Sequence, residues 1–241
     1  MINALLLRFD APLMAFGGVV IDNLGVTRRF PGRATLAGLF ANALGYLHRE
    51  ADKLDTLQRR LRYAVRCDRP GREIVDYQTV DLNPETSPFM QEGWTTRGAP
   101  EGRAGGKEAR EGTHVRYRHY IADALYTIAL TLKPPSPAPT LDEIEAALRE
   151  PARPVFIGRK CCLPSAPLLL GRASADTLLR ALEAEPRAKR AHPTGPLSAW
   201  WPADEDTDRS GARLIPITDD RDWMNQIHVG RRWMHEGSID G

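Results

Sequence analysis

The stretch TLAGLFANALGYLH, Thr35 to His48, places Leu36, Leu39, Phe40, Ala43, Leu44 and Leu47 at helical spacing and is the clearest helix in the chain. Upstream, Ala4 to Phe9 forms a short apolar run bounded by Asp10 and Pro12, the mark of a buried strand. A Gly-containing loop from Gly17 to Pro31 joins the two. Downstream, Leu54, Leu57 and Leu61 make one or two further helical turns. Tyr63, Val65 and Cys67 then alternate with Ala64, Arg66 and Asp68, as in a half-buried strand. Ile74 to Val80, His114 to Tyr120 and Ala124 to Leu132 extend the strand set. A break carrying Pro134, Pro135, Pro137 and Pro139 leads into a helix opened by a capping box, Thr140 and Glu143. Val155 to Ile157 reads as the closing strand.

Taken in order, the elements are strand, helix, strand, strand, long excursion, strand, helix, strand. That is the split β-α-β layout of an α+β, ferredoxin-like fold with a hairpin extended in its middle, a layout shared by RNA-binding RRM domains. Fold alone does not assign function. The excursion, Pro84 to Thr113, is rich in Gly, Pro and charge and has no periodicity. Trp94 stands near its start, where an aromatic can serve as an anchor. Past Gly158 the pattern weakens to a helix from Ser174 to Glu185 and short strands near Leu214 to Thr218 and Ile227 to Trp233. The expected division is residues 1–158, with the excursion over about 81–116, and a smaller β-rich portion over 159–241 packed on it.

The net charge is +2, from 33 basic and 31 acidic residues, so any nucleic-acid surface must be built by local placement of charge. Cys67, Cys161 and Cys162 are odd in number and two are adjacent, which fits a reducing cytosol better than a disulfide framework. No run approaches the ~18 apolar residues of a membrane span or the core of a signal peptide, so a cytoplasmic location without membrane contact is expected.

Enzyme and cofactor motifs fail on their residues. Gly106-Lys107 is followed by Glu108 where a phosphate loop needs Ser or Thr, and Glu101 stands at that motif's first glycine. There is no Cys-x-x-Cys pair and no Gly-x-Ser-x-Gly elbow, so neither metal nor cofactor is expected.

What remains is basic and aromatic. Gly93 to Tyr120 carries Arg97, Arg103, Lys107, Arg110, Arg116 and Arg118 against Glu101, Glu108 and Glu111. In the strand, His114, Arg116, Arg118 and Tyr120 share one face, and Val115, Tyr117 and His119 the other. Two arginines and a tyrosine on one face suit the backbone and bases of single-stranded RNA, although a charged edge strand that resists aggregation has the same composition. Arg28, Arg29 and Arg33 precede the best helix, whose first turn is a natural phosphate seat, or they simply flank a loop. Arg159-Lys160 is a similar pair, and Arg231-Arg232 a weaker one. The alternative is metal-free RNA cleavage by His114 or His119 with Tyr117 or Tyr120 as general acid and base.

Leu7-Arg8-Phe9 with Ala11-Pro12-Leu13-Met14-Ala15-Phe16-Gly17, Arg29-Phe30-Pro31-x-Arg33 with Leu36-x-Gly38-Leu39, and Ala64-Val65-Arg66-Cys67-Asp68 recur in one known family. So do Asp76-Tyr77-Gln78-Thr79-Val80, Arg118-His119-Tyr120-x-x-Asp123-Ala124, and Ile157-Gly158-Arg159-Lys160 with Cys162. Together they make the chain resemble the Cas-five subunits of type I-E CRISPR Cascade, in the RAMP superfamily, over most of its first 170 residues. The resemblance implies a ferredoxin-like domain with a protruding β-hairpin thumb. It also implies a non-catalytic subunit that caps the 5′ handle of the crRNA, abuts the backbone and large subunits, and meets target DNA through the complex. With the basic residues read above, the expected RNA contacts are Arg28, Arg29, Arg33, Arg110, His114, Arg116, Arg118, Tyr120, Arg159 and Lys160. The competing expectation, from type I-C relatives, is a metal-independent endoribonuclease acting on repeat RNA.

Overall fold

The apolar run at the N-terminus forms β1 (Ile2–Asp10), followed by two short strands, β2 (Leu13–Met14) and β3 (Leu24–Gly25). The helical pattern then gives α1 (Arg33–Ala43), ended by Gly45 at φ +81°, and α2 (Ala51–Arg60). Next come β4 (Leu61–Arg69), β5 (Arg72–Asp81), β6 (Thr113–Ala122), β7 (Leu125–Leu132) and α3 (Leu141–Arg149). The remainder is β8 (Leu169–Ala175), α4 (Leu178–Ala184), β9 (Leu197–Pro202), β10 (Arg213–Ile217), β11 (Asp220–Asp222), β12 (Ile227–Val229) and β13 (Arg232–Ile239). This is a computed structural model, and it describes residues 1–19, 23–81, 113–191 and 194–240.

Seven strands form one sheet in the order β10-β13-β9-β4-β7-β1-β8, every neighbouring pair antiparallel. Its central strands are apolar on both faces, because both faces are covered. Leu5, Leu7 and Phe9 of β1, with Tyr63, Val65, Tyr126, Ile128 and Leu130, belong to one core with Leu36, Leu39 and Phe40 of α1, Leu54 and Leu57 of α2 and Ile144 of α3. The alternate positions Ala4, Leu6, Ala64 and Ala129 meet Leu178, Leu179 and Leu182 of α4, with Trp201 beside them. Each fully buried leucine or phenylalanine here contributes on the order of 1.5–3 kcal/mol.

A second sheet is built on β6. β5 pairs with it along its whole length, from Arg72 opposite Ala122 to Asp81 opposite Thr113. β2 and β3 take the other edge, through Leu13 opposite Ala122 and Leu24 opposite Tyr117. The sequence-based excursion over about 81–116 falls largely outside the described residues.

Three expectations change. Val155–Ile157 is a loop: Ile157 is inserted in the core, its N–H donates to Cys162 O (2.8 Å) and its carbonyl accepts from Ala15 N–H (3.2 Å), so no ladder forms. The closing strand is instead β8, whose last two residues, Ser174 and Ala175, fall inside the region read as helix. The helix starts later, at an N-cap Thr177 whose Oγ1 accepts from Arg180 N–H (3.2 Å). The expected boundary at 158/159 is crossed by the main sheet, since β8 pairs with β1 and β9, β13 and β10 extend it beyond β4.

Candidate nucleic-acid interface

Residues directly opposed across an antiparallel pair share a face. In the β5–β6 hairpin, Ile74 opposes Tyr120, Asp76 opposes Arg118, and Gln78 opposes Arg116. This face runs from core to charge: Tyr120 is 4% exposed and Ile74 packs on the main core, while Arg116 and Arg118 lie farther out, half-buried. On the other face Val75 opposes His119 and Tyr77 opposes Tyr117. Val75, Tyr77 and Tyr117 are all exposed, and the two tyrosine rings meet edge-on with centroids 5.5 Å apart.

The base of the hairpin is held by Arg159. Its Nη1 donates to His119 O (2.9 Å), its Nη2 donates to Gly25 O (2.7 Å), and its guanidinium lies 4.6 Å over the Tyr120 ring. The Tyr120 hydroxyl meets Cys161 Sγ at 3.5 Å, and burial raises its pKa above the ordinary phenol value. Tyr120 is therefore a packing residue and its ring faces protein, not an incoming base. Arg159 is aimed by Gly158, at φ +92°, where a Cβ would stand 1.5 Å from Ala15 O. Gly158→Ala is expected to destabilise the chain by more than ~1 kcal/mol, read as a lowered denaturant midpoint at unchanged slope. Gly25 likewise lets arginines pass, since a Cβ there would meet Arg118 Cδ at 3.0 Å and Arg159 Nη2 at 3.1 Å. Lys160 is exposed beside this staple.

The first turn of α1 is not an open phosphate seat. Asp219 Oδ2 accepts from Arg33 N–H (2.6 Å) and Asp219 O accepts from Ala34 N–H (2.9 Å), so the chain's own carboxylate occupies the helix start. Arg232 donates from Nε to Asp219 Oδ1 (2.7 Å) and from Nη2 to Oδ2 (2.6 Å), and Tyr63 OH adds a bond of 2.8 Å. Burial alone would raise the Asp219 pKa, but Arg232, the Arg33 amide and Tyr63 outweigh it and hold it at about 2. Arg33 Nη1 pairs with Asp220 (3.2 Å), and Arg28 donates to Thr218 O. Those two arginines tie the C-terminal strands to α1. Arg29 differs: its side chain is 74% exposed, with Glu236 Oε1 at 3.2 Å and the Trp200 ring 5.7 Å away. Arg110 and Trp94 lie outside the described residues, and of His114 the backbone alone is described, opposite Val80.

Comparison with known proteins now decides the family. The family of the CRISPR-associated protein (Cas_Cas5) matches residues 4–235. The chain belongs to this Cas5 family. It is 32% identical over 178 residues to CRISPR system Cascade subunit CasD of Escherichia coli (strain K12), covering 74% of this chain and 75% of that relative. A chain of a solved "CRISPR RNA-guided surveillance complex" superposes with a TM-score of 0.66 at 27% identity, over 98% of this chain and 89% of that one. A chain described as "Crystal structure of Cas protein" shares the fold, with a TM-score of 0.64 at 24% identity over 98% and 94% of the two chains.

Among the described residues, no hydrogen bond joins His119 to Tyr117 or Tyr120. His119 Nδ1 is bound to Glu73 Oε1 (2.7 Å), Tyr117 is on the exposed face against Tyr77, and Tyr120 is buried on the opposite face beneath Arg159. What the described residues bring together on this hairpin is Arg116 and Arg118 on one face, with Asp76 opposite Arg118, and an exposed tyrosine pair on the other. Tyr77, which the sequence reading did not single out for binding, is exposed on the outer face with Tyr117, where alternation with Ile74 and Asp76 could have placed it. Among the described residues, no helix is long and apolar enough to cross a membrane.

Proposed function

We propose that this Cas5 chain is the subunit of a type I-E CRISPR Cascade complex that caps the 5′ handle of the crRNA and does not cut it. The observation that carries the reading is the β6 strip, with Arg116 and Arg118 on one face of a hairpin whose other face bears Tyr77 and Tyr117. Arginines neutralise the RNA backbone, and exposed rings stack unpaired bases. The exposed Lys160, next in the chain to Arg159, and the exposed Arg29 are further candidates for phosphate contact, whereas Arg159 acts by holding the hairpin base. The antiparallel order β4-β7-β1-β8, with α1 and α3 following β1 and β7 in the chain, supports a ferredoxin-like core. The hairpin at 72–81 and 113–122 is then the base of the thumb. The relative from Escherichia coli is a Cascade subunit, which supports the backbone and large subunits as neighbours of this chain, with target DNA met through the complex.

The full chain, purified with its repeat RNA, should retain RNA with one defined 5′ end. Repeat RNA incubated with it in metal-free buffer should stay intact. Site-specific cleavage that disappears in His114→Ala or His119→Ala would replace the capping role with the endoribonuclease one.

A further inference from the structure

Between α1 and the β11–β12 hairpin lies a cleft of about 340 Å³. That is near the lower end of the ~300–1,000 Å³ of small-ligand sites, room for one nucleotide. Its walls set the rings of Phe156 and Trp223 among Arg153, Arg159, Arg221 and His228, and among the described residues no Asp or Glu lines it. Three polar atoms on these walls are buried without a hydrogen-bond partner among the described residues: the donors Arg221 Nε and Trp223 Nε1, and His228 Nδ1, whose role depends on the tautomer. Trp223 as a whole is 8% exposed. Each such donor costs ~1–3 kcal/mol while unpaired, so two in one cleft point to an acceptor that arrives from outside.

The wall bearing them is fixed. Gln58 of α2 holds the Arg221 backbone from both sides, accepting from its N–H and donating to its carbonyl, each at 3.0 Å. Arg221 Nη2 donates to Gln226 Oε1 (2.8 Å), which leaves the guanidinium 5.7 Å from the Trp223 ring. Arg159, the staple of the hairpin base, also lines the cleft, so the cleft adjoins the strip proposed to track RNA.

We infer that this cleft receives the base of one unstacked nucleotide, its ring among Phe156 and Trp223 and its acceptor edge toward the unsatisfied N–H groups. The two unpaired N–H donors favour the carbonyls of uracil or the O6 and N7 of guanine over the exocyclic amines of adenine and cytosine. The source of the nucleotide, a bound RNA strand, rests on the capping proposal; a free nucleotide has the same chemistry, and the test separates the two.

In one arm, the full chain is photo-crosslinked to guide RNA carrying 4-thiouridine or 6-thioguanosine, and the modified peptides are mapped. In the other, GMP, UMP, AMP and CMP are titrated by equilibrium dialysis. Crosslinks are expected within 153–159 and 221–228, reduced about tenfold in Trp223→Phe and Arg221→Gln, with GMP and UMP bound more tightly than AMP and CMP. RNA retained with crosslinks confined to the β5–β6 hairpin overturns the cleft assignment and leaves the capping role standing. No retained RNA, with GMP and UMP still bound and lost in Trp223→Phe, overturns the capping role and keeps the cleft as a free-nucleotide site. Binding in neither arm overturns both.

Discussion

Replacing Asp219 with alanine should cost the fold about 3–5 kcal/mol at neutral pH, measured by equilibrium denaturation. Asp219 is 1% exposed and satisfies the Arg33 amide, both arms of Arg232 and the Tyr63 hydroxyl. Its removal leaves the Arg232 guanidinium buried without its counter-charge and uncaps α1, whose N-cap, Gly32, supplies no side chain. A loss below ~1 kcal/mol would show that the cluster tolerates an unpaired charge, against the geometry. The same residue makes stability depend on acid. Its folded pKa of about 2 lies below the ordinary carboxylate value, so the unfolded chain binds the proton more readily. The contribution, on the order of 2 kcal/mol, is whole above about pH 4 and is lost as the pH falls toward 2. Comparing the acid branches of the wild-type chain and Asp219→Ala should show the variant with the shallower decline.

An effect of similar size is expected at Arg66→Ala, again about 3–5 kcal/mol. Arg66 and Asp68 are fully buried between the sheet and α4. Arg66 donates from Nη2 to Asp68 Oδ1 (2.8 Å) and from Nη1 to Leu182 O and Glu185 O (2.7 Å each), which satisfies carbonyls at the end of α4. Asp68 also accepts from Thr127 Oγ1 (2.5 Å). Lysine should not rescue the site, because a single ammonium cannot reproduce the fork. Arg66→Met combined with Asp68→Leu should be more stable than Arg66→Met alone, because the stranded carboxylate is gone, though the α4 carbonyls stay unpaired. A double-mutant cycle with no coupling would contradict the pair's role.

Both clusters show what could be read from the sequence and what could not. The capping box was legible because its signal is local: Thr140 Oγ1 accepts from Glu143 N–H (3.3 Å), and Glu143 Oε2 from Thr140 N–H (2.6 Å). The strands β1, β4 and β7 and the helix α1 were legible from apolar periodicity alone. The anion at the start of α1 was not, since it arrives from 186 residues away, and arginines next to an empty-looking helix start read as a phosphate seat. β9 escaped notice because Trp200, Trp201 and Pro202 do not alternate; both faces of that strand are covered, Trp200 in one core and Trp201 in the other. β8 carries the small residues Gly171, Ala173 and Ala175, which give no apolar alternation, and its last two residues, Ser174 and Ala175, read as helix because Leu178 and Leu179 follow them. For the site, alternation sorted the two faces of β6 correctly, but which end of a face is buried depends on where the strand leaves the core, and that turned Tyr120 from a stacking ring into a packing one.

The capping role stands on Arg116, Arg118 and Lys160 meeting RNA phosphates. Its most direct test is the salt dependence of binding to a short single-stranded RNA of the guide's 5′ end, in the wild-type chain and in Arg116→Gln/Arg118→Gln/Lys160→Gln. Each lost phosphate contact should flatten the plot of log affinity against log salt by ~0.7, so the triple variant should lose roughly 2 in slope along with affinity at low salt. Equal slopes and equal affinities, in a variant that melts like the wild-type chain, would contradict it.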